Sequence, residues 1–173
     1  SFGNTLTDEP FSISAWIKQE DWDGLDAIIA KENEYNIRQS TGEYVFQLFD
    51  LDTSAYVYKK SSDLSSYGSE WIHLTFVYDG SGTINGLNIF INGKLDNNPS
   101  DIGFASYTAM HNTTNPIKIG RRDVFSEQYF NGQIDEVKIY NKALTEEEII
   151  ADYNSFLEAK AVDSNVVSVD SNV

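Results

Sequence analysis

Apolar and polar residues alternate with a period of two along most of the chain, the pattern of strands that bury one face. Phe11, Ile13, Ala15 and Ile17 alternate with Ser12, Ser14, Trp16 and Lys18. Ile72, Leu74, Phe76 and Tyr78 alternate with Trp71, His73, Thr75 and Val77, and Leu87, Ile89 and Ile91 with Asn88, Phe90 and Asn92. Further strands are predicted over 27–31, 35–38, 44–49, 55–59, 117–120 and 132–140. Clusters of turn formers separate them, among them Ser40-Thr41-Gly42, Asp79-Gly80-Ser81-Gly82 and Asn92-Gly93. About nine or more short strands divided in this way imply an all-β sandwich or barrel.

One segment follows the helical period instead. Thr145 and Glu148 form a capping box, Glu146, Glu147 and Glu148 suit the positive end of a helix dipole, and Ile149, Ile150 and Tyr153 supply an apolar stripe. A short helix therefore closes the domain, and its acidic run is helix-start chemistry rather than a catalytic cluster. Beyond Phe156 the composition changes, and Val162-Asp163-Ser164-Asn165-Val166 recurs as Val169-Asp170-Ser171-Asn172-Val173. We expect a folded domain over 1–157 and a tail or linker over 158–173, leading toward a further domain or adding an edge strand.

With 173 residues, of which 40% are hydrophobic and 13% aromatic, the chain can bury a core as one domain. Its 27 acidic against 12 basic residues give a net charge of −15, which disfavours nucleic acid and anionic lipid as partners. No cysteine is present, so disulfides, a thiolate nucleophile and zinc–sulfur sites are excluded. There is no apolar run long enough for membrane insertion. The chain starts within a few residues of its first strand and shows no signal peptide, so we expect a processed piece of a longer secreted or cell-surface protein.

The strand motifs carry a resemblance. Phe11-Ser12-Ile13-Ser14-Ala15-Trp16-Ile17, Trp71 to Gly80, Ile89-Phe90-Ile91-Asn92-Gly93, Ile119-Gly120-Arg121 and Phe130 to Leu144 follow one another as they do in laminin-G-like domains of the concanavalin A-like superfamily. The resemblance spans roughly residues 2–155. It implies a two-sheet antiparallel jelly-roll sandwich with a short C-terminal helix, one sheet concave and the other convex. In that family a further strand normally precedes the stretch matching Phe2-Gly3-Asn4. The fold hosts lectins, adhesion modules and some glycosidases, so function must be read from the site.

Catalysis is poorly supported. The superfamily's glycosidases carry alternate carboxylates on one strand, close enough for the retaining geometry. In Gln133-Ile134-Asp135-Glu136-Val137-Lys138, Asp135 has no acidic partner on its own face. His73 lies in a strand and His111 in the polar stretch 109–115, and neither belongs to a recognisable triad. The chain is expected to be non-enzymatic.

Sugar recognition pairs aromatic platforms with planar polar side chains. Exposed aromatics are expected at Trp22, Tyr56, Tyr58, Tyr107 and Tyr129, with Arg121, Arg122, Asp123 and Gln128 beside the last of these. Tyr44, Phe46 and Leu48 share one strand face, as core or as the concave floor. Asp21 to Asp26 and Asp50-Leu51-Asp52 offer oxygens for Ca2+, with turn chemistry as the plainer alternative. The resemblance implies two further calcium sites. One is structural, using Asp135 with backbone oxygens near Asn4. The other resembles the ligand-face calcium of pentraxins, using Asp123, Gln128 and the Glu32-Asn33 loop. The reading is a carbohydrate-binding, lectin-like module with calcium as its expected cofactor. Its alternatives are a protein–protein adhesion module that binds an extracellular protein ligand, and a spacer domain.

Overall fold

In the computed structural model, residues 2–3, 6–97, 101–103, 106–124 and 126–166 are described. Among the described residues thirteen strands form in chain order. They are β1 Phe11–Gln19, β2 Ala27–Lys31, β3 Tyr35–Ser40, β4 Glu43–Asp50, β5 Ala55–Lys60, β6 Ile72–Tyr78 and β7 Leu87–Ile91. The series continues with β8 Lys94–Leu95, β9 Asp101–Gly103, β10 Ile117–Ile119, β11 Arg121–Val124, β12 Ser126–Tyr129 and β13 Gly132–Tyr140, and helix α1 spans Glu146–Val166.

Two large antiparallel sheets build the jelly-roll sandwich. One runs β13-β1-β6-β7-β8 and the other β10-β2-β3-β4-β5-β9, while β11 and β12 form a separate two-stranded sheet among the described residues. The alternation read from the sequence is the alternation that fills the space between the sheets. Phe11, Ile13, Ile17, Ile72, Leu74, Phe76 and Tyr78 come from the first sheet and meet Tyr35, Ile37, Tyr44, Phe46, Leu48 and Val57 from the second. Tyr44, Phe46 and Leu48 are therefore core, not floor. Asn92 and Gly93 join β7 to β8 with φ of 50° and 76°, left-handed values that glycine adopts freely and asparagine tolerates.

The outer face of the five-stranded sheet is covered by α1. The capping box forms as expected: the Glu148 amide donates to Thr145 Oγ1 at 3.3 Å and the Thr145 amide to Glu148 Oε2 at 3.1 Å. Ile149 buries with Val77, Phe90 and Leu144 in a second, smaller core. Ile150, expected in the same stripe, faces solvent instead. Trp16 stacks on Tyr153 and Phe156, with ring centres 5.5 and 4.3 Å away. The helix continues through residues 158–166, which the sequence pattern had assigned to a tail; residues 167–173 lie outside the described residues.

Among the described residues strands β10 and β13 each pair with one neighbour and so form edges of their sheets. Ile117, Ile119 and Ile139 lie in register with Lys31, Ile29 and Ile13, yet each remains more than a third exposed. At one end of the molecule Asp8 is buried, accepting from Tyr78 Oη at 2.6 Å, Tyr107 Oη at 2.8 Å and the Met110 amide at 2.7 Å. Tyr107 was expected to be an exposed aromatic; the carboxylate of Asp8 draws its hydroxyl inward instead. At the other end Tyr44 Oη donates to Gln19 Oε1 and Gln19 Nε2 to Asp26, 2.6 and 2.7 Å.

Candidate functional site

Strand alternation builds a second polar surface, on the outside of the six-stranded sheet. Tyr35 and Ile37 enter the core, so Asn36 and Arg38 of β3 point away from it. On β4 the same rule turns Val45, Gln47 and Phe49 outward, and on β5 it turns out Tyr56 and Tyr58. Register then aligns Ala30, Asn36, Gln47 and Tyr58 in one row and Arg38, Val45 and Lys60 in the next, with Phe49 opposite Tyr56. The rings of Tyr56 and Tyr58 stand nearly parallel, 5.9 Å apart at 13°. This surface is an aromatic strip flanked by planar amides and a guanidinium.

The β11–β12 hairpin adds a wall to it. The chain leaves β10 through Gly120, whose φ of 70° and amide bond to the Ile28 carbonyl set the turn. Arg121 then pairs with Tyr129, Arg122 with Gln128 and Asp123 with Glu127. Neighbours along a strand point to opposite sides, so the hairpin divides the residues that sequence grouped together. Arg122 and Gln128 share one face. The Arg122 guanidinium lies 5.9 Å from the Phe49 ring centre, which turns that face toward the sheet. Arg121, Asp123 and Tyr129 share the other face, where Arg121 lies 5.6 Å from the Tyr129 ring centre and Tyr129 is 53% exposed.

Electrostatics separates the two faces further. On the outer one, hydrogen bonds from Arg121 and Lys118 pull the exposed Asp123 carboxyl down to about 2. On the inner one, burial pushes the Arg38 guanidinium below its ordinary range. Burial, and then the charge of Arg38 itself, does the same to Arg122. Both arginines are half-buried. Asn36, in register with Gln47, is 1% exposed, and neither of its amide atoms has a hydrogen-bond partner; Arg38 Nε, Arg122 Nε and Gln128 Oε1 are likewise buried and unpartnered. Arg38, Asn36 and Gln47 carried no signal in the sequence, because an isolated polar residue in a strand reads as an ordinary outward position.

Trp22 does not join this surface. Its indole NH donates to the Gly68 carbonyl at 3.0 Å, and its ring sits edge-on to Tyr44, which faces the core. It caps the end of the sandwich.

The donors expected for calcium do not assemble as a shell. Asp123 and Gln128 point to opposite sides of the hairpin, and both Asp123 oxygens are held by cations. Asn33 is exposed in the β2–β3 turn with φ of 67°, and Glu32 Oε1 accepts the Asp123 amide at 2.9 Å. Asp135 is exposed and accepts the Glu136 amide. It pairs with Trp16, about 16 Å along β1 from the Phe11 end, where Phe2 stacks; Asn4 lies outside the described residues. In the aspartate-rich turns the plainer alternative holds: Asp21 accepts the Asp23 amide and Asp50 the amides of Asp52, Thr53 and Thr108. Among the described residues no three acidic or histidine side chains group as metal ligands. As arranged, the described members of these groups form no shell for the ion.

The two packed antiparallel sheets define a jelly-roll sandwich. The chain belongs to the concanavalin A-like lectin/glucanases superfamily, whose laminin-G-type pattern matches residues 2–150. No curated protein matches in sequence. Among solved structures, the binding domain of botulinum neurotoxin serotype D aligns with a TM-score of 0.63 at 19% identity, covering 85% of this chain and 36% of that one. The binding domain of Paraclostridial mosquitocidal protein 1 gives 0.61 at 18% identity, covering 86% and 37%. The binding domain of botulinum neurotoxin DC, in complex with rat synaptotagmin II, gives 0.60 at 24% identity, covering 85% and 36%. The likeness is one of fold, and this chain spans little more than a third of those domains.

Proposed function

We propose that this domain is a non-catalytic carbohydrate-binding module of a larger secreted or cell-surface protein, and that it binds on the outer face of the six-stranded sheet. The observation that carries the reading is the composition of that face. The parallel rings of the half-buried Tyr56 and Tyr58 offer a platform for sugar C–H faces, and the half-buried Arg38 and Arg122 on the same side of the sheet offer planar donors for hydroxyls. Membership of a lectin/glucanase superfamily is consistent with it. The nearest approach to the superfamily's hydrolytic strand is β13, and there Asp135 and Glu136 are successive residues at a bulge, with Glu136 at a φ of 49°. Among the described residues no helix is long and apolar enough to cross a membrane.

The test is a broad glycan array run in millimolar calcium and again with chelator. Binding in both conditions, lost on Tyr58→Ala, is the expected result. Binding that vanishes with chelator would restore the calcium-assembled site at Asp123. Silence in both would overturn the carbohydrate reading and favour a protein ligand, as in the toxin domain solved with synaptotagmin.

A further inference from the structure

We infer that the β11–β12 hairpin is a flap: it is shut over the outer face of the six-stranded sheet in this structure, and it swings on its two ends to uncover that face. The flap therefore controls access to the surface proposed above to bind ligand, and that role rests on the binding reading. The hairpin crosses the sheet rather than joining it. Among the described residues β11 and β12 form a sheet of their own. Gly120 fixes one end, its amide on the Ile28 carbonyl of β2. Gly132 fixes the other, so close to β1 that a Cβ there would collide with the Lys18 carbonyl. Between them the Asp123 amide donates to Glu32, and Arg122 reaches the Phe49 ring on β4. Strand order is β2-β3-β4, and the Phe49 amide donates to the Glu34 carbonyl, so Arg122 passes over the chain at Glu34, two residues from Asn36. Ala30, Asn36 and Gln47 form an outward row there, and all three are buried, as they would not be on an uncovered sheet face.

The seam beneath the hairpin is poorly paired. Arg122 Nε and Gln128 Oε1 on the hairpin side, and both amide atoms of Asn36 on the sheet side, are buried without hydrogen-bond partners, although each side carries a donor and the other an acceptor. In a permanent interface almost all buried polar groups are paired. Each one left unpaired weakens closure by roughly tenfold to a hundredfold, because opening returns it to water. A two-stranded hairpin does little to oppose this, being marginally stable by itself. Closure is held by the contacts with Glu32 and Phe49 and by the pairing of Asp123 with Lys118. Segments with so few buried contacts open before the sheets do. Once the flap is open, Asn36 and Gln128 can pair with water or with ligand hydroxyls.

The experiment is hydrogen exchange followed by mass spectrometry on the 173-residue chain, with Asn36→Leu and Gln128→Met as variants. Peptides covering 120–130 are expected to exchange at least about a hundredfold faster than those covering β3 and β4. Each variant replaces an unpaired amide by an apolar side chain of similar size, so each should shut the flap more firmly and slow exchange over 120–130 by about tenfold. Asn36 lies in the sheet and not in the hairpin. Slower hairpin exchange in Asn36→Leu therefore shows that opening uncovers the seam, whereas fraying within the hairpin would not respond to it. Thermal melts check that the variants fold, and Asn36→Val stands in if Asn36→Leu does not. Exchange over 120–130 as slow as over β3 and β4 overturns the inference. So does hairpin exchange that the variants leave unchanged or accelerate, since the seam is then paired through water and the hairpin is a fixed wall. Silence of the glycan array overturns the binding reading alone, because exchange reports the hairpin without a ligand.

Discussion

Asp152 is the residue through which α1 is fastened to the sandwich, and removing its carboxylate should loosen the helix in a way that depends on pH. Its Oδ2 accepts Ser14 Oγ at 2.7 Å and faces His73 Nε2 at 3.3 Å, and its Oδ1 accepts Lys138 Nζ at 2.7 Å. Ser14 and His73 are almost completely buried, so each bond is worth about 1 to 1.5 kcal/mol, and an unsatisfied donor would remain on its loss. Lys138 is a third exposed, and solvent reduces its share to roughly 0.5 kcal/mol. Asp152→Ala should therefore cost about 3 kcal/mol at pH 7, and Asp152→Asn, which keeps one acceptor, about half that.

The sign of the pH effect follows from the carboxyl's environment. Burial alone would raise Asp152, but bonds from His73, Lys138 and Ser14 outweigh it and hold the group well below the usual carboxylate range. A depressed acid stabilises the fold fully above its unfolded value of about 4, and the benefit drains away as pH falls through the folded value. Between pH 7 and pH 3 the penalty of Asp152→Asn should thus shrink by about 1 kcal/mol. Urea denaturation followed by tryptophan fluorescence reads both quantities, since Trp16 lies against the helix. Equal stability of variant and wild type at pH 7, or a penalty that stays constant down to pH 3, would refute the account.

Two further measurements probe the packing at either side of the sheet. Trp16→Ala should cost about 3 to 5 kcal/mol, and Phe156→Ala less because Phe156 is half-exposed. The pair should couple by about 1 kcal/mol in a double-mutant cycle, and strict additivity would show that the ring stack contributes nothing. Asp8 should behave in the opposite sense to Asp152. Burial raises it against the bonds from Tyr78, Met110 and Tyr107, so the stability it lends is present at low pH and lost as pH rises through its folded value. The stability of Asp8→Asn relative to wild type should improve between pH 4 and pH 7, and a difference that does not move over that range would contradict it.

Much of the architecture is written in local pattern. The period of two located β1 to β7, β10 and β13 to within a few residues, because a half-buried strand has to alternate. Thr145 and Glu148 fixed the start of α1, and Asn92-Gly93 fixed a hairpin, since both act through bonds and dihedrals only a few residues apart. The end of α1 was not legible: the composition changes beyond Phe156 and a repeat begins at Val162, yet the helix carries on to Val166.

The candidate site was decided by tertiary structure. Alternation says which residues share a face, but not which neighbouring element that face meets. Arg121, Arg122, Asp123, Gln128 and Tyr129 looked like one group in sequence, and pairing in β11 and β12 splits them across a hairpin. Arg122 then finds the ring of Phe49, 73 positions earlier in the chain, because β11 folds back to the β2–β3 turn, where the Asp123 amide donates to Glu32. Sequence determined that this chain would be a sandwich and where its strands would lie. Only the packing of distant strands could bring two arginines, a buried amide and a pair of tyrosines onto one surface, since no local interaction links them.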